Sequence, residues 1–183
     1  MSALRVYRPD ECGADGYPFA WHANIKHWVR QEAGHRCVRC HHPYMAGSGE
    51  WSPCDEACRH GGPVRIWSRL LKAPDLHLFA TSGEIAAMAR SATGVEARWR
   101  ILTVHHLTRE KADCRWWNLA ALCQRCHLTI QGKVQMARVW PWPHTDWFRP
   151  YAAGWYAWTY LGEEITRAEA VERMDELLAL EAA

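Results

Sequence analysis

The chain has 183 residues, which suits one compact domain with additions or two small domains, and 49% are hydrophobic, as in a globular protein. A net charge of only +2 excludes a polycation. No apolar run approaches the roughly 18 residues of a membrane helix, and no apolar segment follows a basic leader, so a soluble, cytoplasmic chain with no membrane partner is expected.

Residues 1–20 are irregular, broken by Pro9, Gly13, Gly16 and Pro18. From His22 to Ala33 the pattern predicts an amphipathic helix, with Trp21, Ile25, Trp28 and Val29 on one face and Gly34 as its stop. Cys37-Val-Arg-Cys40 follows at once. A Cys-x-x-Cys turn sets two thiolates on one cation, and a second pair completes a closed tetrahedral zinc site; Cys123-Gln-Arg-Cys126 is the natural partner. The competing reading, a redox dithiol, expects a thioredoxin-like βαβ context that this chain does not show. Cys54 and Cys58, four apart in a turn-rich stretch with His42 and His60 nearby, are candidates for a second zinc completed by Cys12, Cys114 or a histidine. Val64–Lys72 suits a helix or strand, and Ser82 opens a helix over Glu84–Arg90.

Ile101-Leu102-Thr103-Val104 is β-branched and apolar, a short buried strand that ends in His105-His106. A charged turn spans Thr108–Arg115, and Trp116-Trp117 anchors it by burial. Asn118 then caps a helix with Leu119, Leu122 and Leu128 at near-helical spacing, bearing Cys123, Cys126 and His127. Adjacent strand residues face opposite ways, so one of the His pair can face a metal that His127 shares. Two metal-facing imidazoles and one that takes a proton from water suffice for metal-assisted hydrolysis. Beyond this, Trp140-Pro-Trp-Pro143-His144 is rigid and extended, residues 147–160 are rich in aromatics, and Thr166 with Glu169 forms a capping box. The final helix presents Ala170, Val171, Met174, Leu177, Leu178 and Leu180 on its apolar side. Charge is unevenly spread: residues 86–140 hold nine Lys/Arg and three acids, and residues 162–183 seven acids and two arginines. A basic middle suits a phosphate backbone, with Arg98, Arg100, Arg109, Lys111, Arg115 and Lys133 as candidate contacts.

The run Val104-His105-His106-Leu107, then Asn118-Leu119, then Leu122-Cys123 to Cys126-His127 resembles the HNH endonuclease motif of the ββα-metal nucleases, in its zinc-bearing branch with Cys37 and Cys40. The resemblance covers the core and implies a small ββα-metal core with a structural zinc; with the flanks read from their own residues, the expected fold is α+β, this core with an N-terminal helix, an insertion and a C-terminal helical extension. The expected organisation is an N-terminal segment and helix at 1–36, a nuclease core at 37–140 with an insertion at 41–98, and an aromatic-rich extension with the C-terminal helix at 141–183. By this likeness His105 and His127 hold one catalytic divalent ion (Mg²⁺, Mn²⁺ or Ni²⁺), His106 is the general base and Asn118 holds the loop in shape. Where some members carry another histidine four residues on, this chain has Gln131. The implied activity is hydrolysis of phosphodiester bonds in double-stranded DNA, leaving 5′ phosphate and 3′ hydroxyl. The tail helix is a candidate dimer surface, and the host-cell cytoplasm is the setting for a phage-encoded member. A non-catalytic zinc module that binds nucleic acid or protein is the alternative, and a redox or zinc-handling protein a further rival.

Overall fold

Trp21, Ile25 and Val29 stand four residues apart, and all three are buried in the computed structural model. The structure describes residues 4–46, 57, 101–130 and 145–182. These form two compact units: residues 4–29, 104–120 and 145–182 make the first, and residues 30–46, 57, 101–103 and 121–130 the second.

The N-terminal helix begins as a π-helical turn, Trp21–Ile25, and continues as α1, Lys26–Glu32. Trp28 departs from the expected apolar face and is 37% exposed, because it lies one residue off the four-residue repeat of the buried stripe. Gly34 ends the helix in the left-handed region at φ 59°, where its missing Cβ avoids strain.

Strands β1, Thr103–His106, and β2, Leu119–Leu122, pair antiparallel, and Leu107 N–H donates to the Asn118 carbonyl at 2.8 Å just past β1. All four residues of β2 are buried. Here the structure corrects the expected helix start. Residues 116–118 form a 3₁₀ turn and Leu119–Leu122 is a strand, while α2 runs only over Gln124–Ile130. A four-residue apolar run reads as buried strand or helix equally well, and Asn118 uses its side chain in the preceding loop, not as a cap. The first helical bond of α2 joins His127 N–H to the Cys123 carbonyl at 2.8 Å. The fold is therefore α+β with a small two-stranded antiparallel sheet.

In the first unit, α3, Arg149–Tyr156, runs into a π-helical turn, Ala157–Leu161, which Gly162 ends at φ 69°. The predicted tail helix is two short helices, α4 (Arg167–Glu172) and α5 (Met174–Ala179), hinged at Arg173, whose φ and ψ of −96° and 14° leave the helical region. Thr166 and Glu169 cap α4 reciprocally, as their spacing predicts. Ala153, Ala157, Ala170 and Leu177 form a fully buried cluster, with Trp116, Ile165, Met174, Leu178 and Leu180 packed on it. Val171 leaves the predicted apolar side and is 48% exposed. Trp116 enters this core with its indole N–H satisfied by the Ile165 carbonyl at 2.7 Å. No described helix is long and apolar enough to cross a membrane. The expected elements at 64–72, 84–90 and 140–144 lie outside the described residues.

α3 meets the 3₁₀ turn where small residues let backbones approach. A Cβ on Gly154 would sit 2.5 Å from Trp116 Cζ2 and 2.9 Å from Trp117 Cβ. Gly154→Ala is therefore expected to destabilise by about 1–3 kcal/mol despite its better helix propensity. Calorimetry should show a lower Tm; an unchanged or raised Tm would mean this contact is not close-packed.

Candidate metal centre and histidine pair

The second unit is built around sulfur. Cys37, Cys40, Cys123 and Cys126 are all buried, and their four Sγ atoms lie within 4.8 Å of one another. They lie close enough to hold a metal such as zinc. Cys40 Sγ is 3.7 Å from Cys123 Sγ. A tetrahedron with 2.3 Å arms has an edge of about 3.8 Å, so this spacing already fits a four-thiolate site. Hydrogen bonding to Cys123 pushes the Cys40 thiol up and the Cys126 thiol down. A divalent cation that takes all four as thiolates removes this contest.

Local backbone shapes the site. His41 sits at φ 59° directly after Cys40, and its N–H returns to the Cys37 carbonyl at 2.8 Å, which closes a tight knuckle. Arg36 Nη1 donates to the His41 carbonyl at 3.0 Å. The other pair is joined by the Cys126 N–H, 3.4 Å from Cys123 Sγ. Val38 N–H bonds the Ala121 carbonyl at 2.9 Å, so the knuckle is tied to β2 by main chain as well as by sulfur. Arg39 Nη1 lies 3.7 Å from Cys126 Sγ and offsets negative charge there. Nothing in the sequence marks Arg39 except its position inside Cys-x-x-Cys. His42, a suggested ligand of a second zinc, is buried edge-on against Tyr44, with ring centroids 5.1 Å apart. Cys54, Cys58 and His60 lie outside the described residues.

The His pair ends β1. Strand alternation puts Thr103 and His105 on one face of β1 and Val104 and His106 on the other. His105 is half-buried, and His106 is 6% exposed. Trp21 lies 4.7 Å and Tyr17 5.7 Å from the His106 ring, centroid to centroid, and Cys114 Sγ is 4.0 Å from its Nε2. Burial pushes the His106 pKa down to about 4, against the opposing pull of the Asp113 charge and a hydrogen bond with the Lys111 backbone. The ordinary value near 6.5 is thus not the one that applies to this imidazole. Cys114, another suggested ligand of a second zinc, is pushed up to about 12 by burial first, so it is a thiol at neutral pH. Tyr17, invisible among the turn residues of the N-terminus, belongs to a strap over the ring. Its carbonyl accepts from Gly13 N–H at 2.8 Å, and Lys111 Nζ lies 4.7 Å above its ring while donating to the Asp15 carbonyl at 2.8 Å.

Asn118 is fully buried. Its Oδ1 accepts from Thr108 N–H at 2.7 Å, and its Nδ2 donates to the carbonyls of Asp113 at 2.6 Å and Glu110 at 3.4 Å. One side chain thus closes the whole turn after the His pair. Of the basic candidates in this turn, Arg109 and Lys111 are exposed. Arg115 is not presented to a phosphate: its Nε and Nη2 bind both oxygens of Asp113 at 3.0 and 2.6 Å, and Trp117 and Trp158 stack over it at 4.4 and 4.2 Å. Its side chain is 12% exposed. Arg98, Arg100 and Lys133 lie outside the described residues. In the second unit His127 is half-buried, which lowers its pKa, and its Nδ1 lies 3.2 Å from Thr103 Oγ1.

Comparison of the chain with protein families, with curated proteins and with solved structures finds no match.

Two expectations follow. Protein purified without chelator should carry at least one tightly held divalent ion per chain by elemental analysis. Substitution with Co²⁺ should give the intense visible bands of a tetrahedral thiolate site, weakened by Cys37→Ser or Cys126→Ser; octahedral Co²⁺ spectra would reject a four-sulfur centre. The second concerns pH. An imidazole with a folded pKa near 4 and an unfolded pKa near 6.5 is preferred neutral in the fold. Its contribution is fully present above the unfolded value and is lost as pH falls from about 6.5 to 4, by about 3 kcal/mol. Urea unfolding across that range should show wild type losing more stability than His106→Gln, and parallel curves would show that the ring is not buried neutral.

Proposed function

We propose that the chain is a metal-dependent endonuclease of HNH type that hydrolyses DNA phosphodiester bonds, with the four-cysteine centre as its structural zinc site. The observation that carries this reading is the tie made by Asn118. Its amide joins Thr108 and Asp113 and closes the turn that follows the His pair, the part that the resemblance assigns to the central asparagine of the motif. The neutral state of His106 is what a general base requires, since only a neutral imidazole has a lone pair to take a proton from water. Arg109 and Lys111 give exposed positive charge on the same turn, suited to a phosphate backbone. Residues 86–140, which contain this motif, hold nine Lys/Arg against three acids.

In this reading His105 and His127 are the imidazoles that hold the divalent ion, and His106 removes a proton from the attacking water. The ion, when bound, supplies Lewis-acid stabilisation of charge on the scissile phosphate. Asn118 acts by keeping the turn, and so the His106 ring, in place. A second reading, a zinc-bearing module that binds nucleic acid or protein without turnover, is favoured by one observation: His106 lies beneath Tyr17 and Trp21 and is barely open to solvent.

Nicking of supercoiled plasmid by zinc-loaded protein, with Mg²⁺, Mn²⁺, Ni²⁺ or EDTA, separates the two. We expect cleavage that needs added ion and falls by roughly 10²–10⁴-fold in His106→Ala, measured where the variant is still folded and holds its zinc. DNA binding without cleavage under any ion would establish the second reading, and equal cleavage by His106→Ala would remove that residue as the base.

A further inference from the structure

Thr103 is the one polar residue in the run Ile101-Leu102-Thr103-Val104, and its hydroxyl has two neighbours within the second unit. Oγ1 lies 2.7 Å from the Leu122 carbonyl and 3.2 Å from His127 Nδ1. A hydroxyl has one proton, and a carbonyl oxygen can only accept. The shorter contact therefore takes the proton, and Oγ1 can meet Nδ1 only as an acceptor. Nδ1 must then carry the ring proton. A neutral imidazole has a single N–H, so the lone pair falls on Nε2.

We propose that Thr103 is a positioning residue for His127: its hydroxyl, anchored on the Leu122 carbonyl, holds the ring as the Nδ1–H tautomer and makes Nε2 the atom that donates to a divalent ion. The assignment of an ion to His127 rests on the endonuclease reading; the tautomer does not. The arrangement is the outer-shell pattern of metal-binding histidines, in which the nitrogen that does not bind metal gives its proton to a fixed oxygen. Both fixed points are well anchored. Leu122 closes β2, whose preceding residue Ala121 receives the Val38 N–H, and Cys123 begins the turn that sets the register of His127 on α2. Valine has nearly the same shape as threonine but no hydroxyl, so Thr103→Val removes the acceptor while keeping the β-branched strand residue. Thr103→Ser restores the hydroxyl without the methyl group.

The test is long-range ¹H–¹⁵N correlation of histidine-labelled, zinc-loaded protein at about pH 8, above the ordinary imidazole range, with His127→Ala assigning the signal. Wild type should show His127 protonated on Nδ1, Thr103→Val should shift it towards Nε2–H, and Thr103→Ser should return it. Mn²⁺ affinity of the same zinc-loaded proteins, read by electron paramagnetic resonance, should weaken by roughly 10–100-fold in Thr103→Val and recover in Thr103→Ser. A wild-type ring protonated on Nε2 overturns the proposal without any variant, as does a Thr103→Val ring still protonated on Nδ1. An Nδ1–H ring that follows the Thr103 series in a protein that binds no Mn²⁺ upholds the hold of Thr103 on the tautomer and sinks the endonuclease reading instead.

Discussion

The first unit depends on one buried amide. Asn118 has no solvent to satisfy it, so each of its polar atoms must find a partner inside, and each does so on the same turn. A buried polar group left unpaired costs about 1–3 kcal/mol, and removing this side chain would strand a backbone N–H and at least one carbonyl together. From the amide the order spreads outward. Asp113, whose carbonyl binds Asn118, holds the Arg115 guanidinium with its carboxylate. The Arg115 guanidinium lies over the rings of both Trp117 and Trp158, which attaches the turn to the C-terminal helices through cation–π contact. Trp116 adds a second attachment through Ile165.

The second unit answers to a different constraint. Four sulfurs in a buried space are compatible only if a cation or shared protons offset their charge, and the knuckle at Cys37–Cys40 orients its pair by main-chain bonds that need no metal. His41 accepts a left-handed backbone there, a conformation that costs a side-chain-bearing residue more than glycine. Its N–H bonds the Cys37 carbonyl and its carbonyl accepts from Arg36, so both of its main-chain polar groups are tied within the knuckle.

What could be read from the sequence was what short-range chemistry decides. The Cys-x-x-Cys pairs, Gly34 as a helix stop, the Thr166 capping box and the β-branched run before His105 all rest on contacts within a few residues. What could not be read depended on distant partners. Leu119–Leu122 has no periodicity to separate strand from helix, and its pairing with β1 decided the matter. Arg115 looks like any exposed arginine until Asp113 and Trp158 are placed beside it. His106 carries no mark of the aromatic strap that covers it, because Tyr17 lies among residues that otherwise signal only turns. The same holds for Thr103, whose hydroxyl reaches a histidine 24 positions away.

The two halves of the sulfur centre come from distant parts of the chain: Cys40 and Cys123 are 83 residues apart. A cation seated there would act as a removable cross-link, and closing a loop of that length draws about 4.5 kcal/mol of freedom from the unfolded chain. The penalty grows only with the logarithm of length, about 0.6 kcal/mol for each doubling. For the clip alone, the length of chain between the two pairs therefore matters little.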